Sequence, residues 1–142
     1  MASNDPAENS ADSDEWGVGR VLIVDANVHH AELLRSILAS LSAAVVMAVT
    51  SDDALRVAAE TRLDLAIIDM GFADAIGLVF EVKALTDAAI IVVSGQRPEV
   101  PVADALDAGA DDYVVAPVLP AELRARARAV TRRRRHQREQ WI

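Results

Sequence analysis

Apolar positions along this chain alternate between short continuous runs and stretches at helical spacing. Residues 21–25 (Val-Leu-Ile-Val-Asp) form a run rich in β-branched side chains, the pattern of a buried strand. Asn27 follows as an N-cap, and Leu33, Leu34, Ile37, Leu38 and Leu41 then recur at helical spacing. Residues 44–49 read as a second strand. Thr50, Ser51 and Asp52 offer caps to a helix carrying Ala54, Leu55, Ala58 and Ala59. A third strand covers residues 65–68, and a loop over residues 70–76 leads to a helix with Leu78, Val79, Val82 and Leu85 on one face. Residues 90–93 read as a fourth strand, followed by a Gly95-Gln96-Arg97-Pro98 loop. A short helix spans residues 102–106, and Gly109 is placed to end it. Residues 113–115 make a fifth strand. Pro120 starts the last helix, which runs through Leu123, Ala127 and Val130.

Five β-α units with short connections and apolar strands predict an α/β fold: a doubly wound, five-stranded parallel sheet with helices on both faces. In such sheets ligands sit at the carboxyl ends of the strands. Asp25, Asp69 and Ser94 all stand at those ends. Two carboxylates and a hydroxyl at one edge is the layout of an aspartyl-phosphate switch.

Composition narrows the setting. Aromatic residues make up 4% of a chain that is 52% hydrophobic, so the core must be aliphatic. Cysteine is absent, which excludes disulfides, zinc-thiolate sites and thiol nucleophiles. No apolar run reaches the roughly 18–20 residues that span a bilayer. The acidic N-terminus lacks the features of a signal peptide. The chain therefore reads as cytoplasmic.

The net charge of −8 is unevenly distributed. Residues 1–15 carry −5, residues 16–121 carry −9, and residues 122–142 carry +6. Residues 1–18 are rich in Ser, Asp, Asn and Glu and read as a disordered acidic leader. Residues 19–131 form the globular domain. Residues 132–142 read as a basic helix end and linker, leading to a further domain if the chain is part of a longer protein. Trp16 and Trp141 lie in the two tails. An acidic body argues against nucleic-acid binding by the domain itself.

The residues 20–131 resemble a response-regulator receiver domain of two-component signalling, closest to the OmpR/PhoB winged-helix class. The resemblance rests on residues 21–25, on residues 63–69 with Gly77 eight positions beyond Asp69, and on Ala-Gly-Ala-Asp-Asp-Tyr-Val-Val-Ala-Pro at 108–117. It implies that Asp69 takes the phosphoacceptor position and Asp25 the first of two acidic positions that support a magnesium ion. Ser94 takes the Ser/Thr position that bonds the phosphoryl group. Tyr113 takes the aromatic switch position, and Pro117 the proline that usually follows a cis bond.

The chain departs from the pattern at four kinds of position. The second acidic position is Ala26, and the lysine position is Ala116. Phe72-Ala73 stands where Met-Pro is usual, and Ile76 replaces the acid before the loop glycine. A carboxylate attacks phosphate poorly because both are negative, so receivers neutralise the developing charge with a divalent ion and a lysine. Each loss is worth about 3–4 kcal/mol by analogy with removal of one oxyanion donor. The resemblance thus implies an atypical receiver that works without phosphorylation and requires no cofactor, Mg2+ binding being weak. The alternative is a slow but genuine phosphoacceptor that uses Asp69 with Mg2+.

Further readings follow from the resemblance. Receivers of this class dimerise through the fourth helix, fifth strand and fifth helix, joined by intermolecular ion pairs. Here Asp112 and Arg126 match one pair and Asp111 and Arg133 another, while Glu122 faces Val102 instead of a base. A homodimer, a sensor histidine kinase and a small ligand at the apolar 72–76 loop are the expected partners. DNA contact is expected only through a domain absent from this chain, because a lone basic tail binds phosphate without sequence preference. His29 and His30 lie near the acidic edge but show no third ligand at fitting spacing, and are expected as exposed helix residues. A remote alternative is a small α/β phosphatase-like enzyme. That chemistry wants an aspartate two residues after the nucleophile, and residues 27 and 71 are Asn and Gly.

Overall fold

The computed structural model describes residues 17–41, 44–95 and 101–140. Residues 1–16, most of the Gly95–Pro98 loop, and both tryptophans lie outside the described residues. The last two residues of the expected 1–18 leader, Gly17 and Val18, are instead buried, with Val18 in the core beside Leu41. The elements are β1 (Arg20–Val24), α1 (Val28–Ala39), β2 (Ala44–Ala48), α2 (Ser51–Glu60), β3 (Leu65–Asp69), α3 (Ala75–Leu85), β4 (Ala89–Ser94), α4 (Val102–Ala108), β5 (Asp112–Val115) and α5 (Pro120–Gln140). The five strands form one parallel sheet in the order β2-β1-β3-β4-β5. The expected α/β class and doubly wound topology are present.

Strand parity builds the two cores. Ile23, Ile67 and Ile91 are aligned across β1, β3 and β4 and point to one face. There they pack with Leu34 and Leu38 of α1 and with Leu123, Ala127 and Val130 of α5. Leu22, Ala66 and Ile90 are aligned one residue earlier and point to the other face. They meet Ala54 and Val57 of α2, Leu78, Val79 and Val82 of α3, and Ala105 of α4. The three central strands are buried on both sides, which is why they read as uninterrupted apolar runs. The outer strands depart from that expectation. Ala44 and Met47 of β2 and Val115 of β5 are exposed, because an edge strand has a neighbour on one side only.

Capping sets the helix starts. Asn27, Thr50 and Asp74 each accept a hydrogen bond from the backbone N–H three residues on, at His30, Asp53 and Gly77. Gly109 ends α4 at φ +124°, a conformation that side chains disfavour, and a Cβ there would press on Lys83 at 2.9 Å.

The last helix differs from the sequence reading. It continues to Gln140 instead of ending near Thr131. Its final turns contain no Gly or Pro and are mostly strong helix formers, Arg, Gln and Glu. Three of its arginines also reach the acidic body: Arg134 to Asp111 (3.1 Å), Arg135 to the Gly17 carbonyl (2.9 Å), and Arg138 to Asp64 and Asp87 (3.8 Å each). Residues 132–140 are therefore part of a docked helix. Among the described residues, no helix is long and apolar enough to cross a membrane.

Candidate functional site

Strand order reverses between β1 and β3, and the carboxyl ends of these two strands carry Asp25 and Asp69. The register that aligns Val24 with Ile68 brings the next residues, Asp25 and Asp69, level with each other. Asp25 is 1% exposed, and its backbone N–H donates to Ala48 (3.0 Å), which fixes it at the strand end. Its Oδ1 accepts from the Asn27 N–H at 2.9 Å. Its Oδ2 is hydrogen-bonded to Nδ1 of His30.

His30 corrects the sequence reading. Asn27 caps α1 by accepting from the His30 N–H at 3.1 Å, so His30 occupies the third position of the first turn. That position turns its ring back over the end of β1. His29 is exposed, as expected, but His30 is half-buried against Asp25. Asp25, His30 and Asp69 each present one ligand-type atom, and the three atoms lie within 4.8 Å of one another. The spacing Asp-x-Asn-x-x-His was the available signal: a strand-end acid, a cap, and the capped first-turn residue.

Asp69 ends β3 and is half-buried. Its Oδ2 accepts from the Gly71 N–H at 2.9 Å. Burial pushes its carboxyl above the usual range; the Gly71 hydrogen bond opposes this, Asp25 reinforces it, and His30 opposes it. A carboxyl raised in the folded state binds protons better folded than unfolded, so stability falls as pH rises from the ordinary value of 3.8 through the raised one. In metal-free buffer, Asp69→Asn is therefore expected to melt above the parent at pH 7, with the gap closing as pH falls toward 3.8. Thermal unfolding across that range checks it, and a gap that stays constant with pH would contradict the assignment.

Ser94 ends β4, 3% exposed, with Oγ donating to the Gly95 carbonyl at 3.3 Å. The Ala116 N–H donates to the Ser94 carbonyl at 2.7 Å, which holds residue 116 beside this edge. The Ala116–Pro117 bond is cis. Tyr113 is half-buried against the second core face. Ala26 and Ala73 are exposed, whereas Phe72, Ile76 and Met70 pack against that same core face. The apolar loop after Asp69 thus covers the core instead of opening to solvent.

A magnesium ion asks for oxygen ligands in an octahedron. This edge offers two carboxylates and an imidazole, with a methyl group at residue 26 where a third carboxylate would help. That donor set fits magnesium poorly.

The ionic residues of the expected dimer face pair within one chain. Arg126 donates to Asp112 at 3.0 Å and to Glu122 at 3.0 Å. Asp111 is bonded by Arg134 (3.1 Å) and by the Ile90 N–H (2.8 Å), with Lys83 at 3.9 Å. The in-chain partner of Asp111 is thus Arg134, while Arg133, one position earlier on the helix, is exposed. Val102 and Leu106 of α4, Val115 of β5, and Leu119 are exposed apolar residues on or next to these elements.

Comparison with known proteins agrees with this geometry. Residues 21–128 match the family model described as the response regulator receiver domain. The transcriptional regulatory protein KdpE of Mycobacterium tuberculosis is 37% identical over 115 residues, covering 80% of this chain and 51% of that protein. The transcriptional regulatory protein AruR of Pseudomonas aeruginosa is 32% identical over 126 residues, covering 84% and 52%. The chain spans about half the length of the curated relatives it matches. A CheY-like response regulator receiver domain protein from Methanospirillum hungatei has the same fold, with a TM-score of 0.78 at 24% identity over 85% of this chain and 99% of that one. The relatives are transcriptional regulators, in keeping with the OmpR/PhoB resemblance. From the sheet order, the acidic strand ends and these matches, the chain belongs to the response regulator receiver domain family.

Proposed function

We propose that this receiver controls a transcriptional output without phosphorylation, by self-association through α4, β5 and α5. The observation that carries the reading is the composition of the edge around Asp69. Ala116 stands where a lysine would neutralise an incoming phosphoryl group, and Ala26 where a second acid would help hold a divalent ion. In their place, His30 sits against Asp25. The edge keeps its shape while lacking the groups that lower the barrier to phosphotransfer.

Self-association is supported by the exposed side chains of Val102, Leu106 and Val115 beside the Asp112–Arg126–Glu122 network. A two-fold dimer would present this face to its own copy. Apolar contact would drive association, and the ion pairs would set register, since each exposed pair is worth about 0–1 kcal/mol. Sedimentation of the chain without any phosphodonor is expected to show reversible dimers. Leu106→Glu is expected to weaken them by about tenfold or more, the effect of removing roughly 1.4 kcal/mol at an apolar contact. A strictly monomeric chain, or a dimer indifferent to Leu106→Glu, would overturn this part of the reading.

A second reading keeps Asp69 as a slow phosphoacceptor served by a sensor histidine kinase and Mg2+. It draws on the retention of Asp25, Asp69 and Ser94 at adjacent strand ends. DNA contact would belong to other parts of a longer regulator, a reading drawn from relatives of whose length the match covers about half.

A further inference from the structure

We propose that Asp25, Asp69 and His30 form a binding site for a borderline divalent transition-metal ion, with Zn2+ as the reference, and that His30 turns this edge away from magnesium. The proposal concerns the ion the edge accepts. It does not depend on whether Asp69 is phosphorylated or whether the chain dimerises.

Three observations carry it. First, the donors converge: one ligand-type atom from each of the three residues lies within 4.8 Å of the others, the separation that a single ion can bridge. Second, the three are held from different directions. Asp25 is fixed at the end of β1 by its N–H bond to Ala48, and its carboxylate by the Asn27 N–H. Asp69 is oriented by the Gly71 N–H on its Oδ2. His30 has its backbone placed by the Asn27 cap and its ring held against Asp25 by the Nδ1–Oδ2 hydrogen bond. An ion would take the place of that hydrogen bond's proton and find the three side chains already side by side. Third, the donor set is mixed. Imidazole suits zinc, copper, nickel and iron, whereas magnesium and calcium are served by carboxylate, carbonyl and water. The methyl group at Ala26 removes an oxygen donor from the edge, and His30 adds a nitrogen donor.

Charge points the same way. Asp25 and Asp69 stand side by side at the switch point, two carboxylates at one strand edge. A divalent cation between them would relieve that repulsion. Lys83 lies with Asp111 at 3.9 Å, on the β4–β5 side of the sheet.

Isothermal titration of the full chain with Zn2+ and, separately, with Mg2+ tests the proposal. One Zn2+ site is expected. His30→Gln should weaken Zn2+ binding by about tenfold or more, the scale of loss when a metal-site group is removed, while leaving Mg2+ binding nearly unchanged. His29→Gln and His136→Gln should bind Zn2+ as the parent does, since His29 is exposed and His136 lies near Glu139 at the far end of α5. Ala26→Asp should strengthen Mg2+ binding. If His30→Gln melts well below the parent, Asp69→Asn supplies the same reading and should also weaken Zn2+. Zn2+ binding that survives both His30→Gln and Asp69→Asn, or that is lost equally in His29→Gln or His136→Gln, would overturn the site. So would Mg2+ binding as tight as Zn2+.

Discussion

Replacing Ala26 with aspartate and Ala116 with lysine together is expected to speed acyl-phosphate formation at Asp69 by about 10²-fold or more in the presence of Mg2+, the scale of effect of one preorganised charge-stabilising group. The barrier is electrostatic. A carboxylate must approach a phosphoryl group that is itself negative, and the charge that develops needs cations fixed in place before the reaction begins. Residue 116 is held at the right edge, because its N–H is bonded to the Ser94 carbonyl at 2.7 Å. A lysine stem there starts from an anchored backbone. Residue 26 directly follows Asp25 and is exposed, so an added carboxylate meets no packed neighbour. The two substitutions act on one charge balance, and their effects should not simply add. The single variants should fall between parent and double variant. Rates of mass gain with a small-molecule phosphodonor measure all four. A double variant as inert as the parent would mean that the limit lies elsewhere, for example in the packed 70–76 loop.

Ile67→Ala is expected to destabilise the fold by about 2–5 kcal/mol, the range for truncating a large buried aliphatic residue. Ile67 is fully buried in the central strand, aligned with Ile23 on one side and Ile91 on the other. It packs on the face closed by α1 and α5. A cavity there is bounded by three strands and two helices, which leaves little freedom to collapse into it. For a domain of this size the loss corresponds to a fall in melting temperature of roughly 10 °C or more. Denaturant titration gives the value directly. A loss below about 1 kcal/mol would show that the core repacks around the void, as cores do for volume-conserving swaps.

Most of the fold was legible because the three central strands are buried on both faces. Runs such as Leu65-Ala66-Ile67-Ile68 have no polar side to hide, and Asn27, Thr50 and Gly109 mark helix ends by chemistry that acts locally. The edge strands were less legible. Ala44–Ala48 is as apolar as β1, yet two of its five positions are exposed and only Ala48 is buried, and the sheet order explains that. The length of α5 was misjudged because four consecutive arginines resemble a solvated tail. The acids that Arg134 and Arg138 reach, Asp111, Asp64 and Asp87, lie on loops and strand ends far away in sequence.

The same limit applies to the site. Asp25, Asp69 and Ser94 could be placed at one edge from strand periodicity alone. His30 could not be excluded or included by counting ligands along the sequence, because its contact with Asp25 depends on the angle at which a capped helix leaves β1. The in-chain bond of Asp111 was equally hidden, and it leaves the expected pairing with Arg133 of a second copy untouched. Arg133 and Arg134 differ by one position on the helix, about 100° of rotation, and only the docked helix decides that Arg134 meets the acid within the chain.

The central claim is that the edge around Asp69 no longer supports efficient phosphotransfer. Intact mass after incubation with Mg2+ and a small-molecule phosphodonor tests it most directly, with Asp69→Ala and an ordinary receiver as controls. The account predicts no gain in mass for the parent chain under conditions that fully convert the ordinary receiver. A gain of one phosphoryl group that disappears in Asp69→Ala would contradict it and establish Asp69 as a working phosphoacceptor.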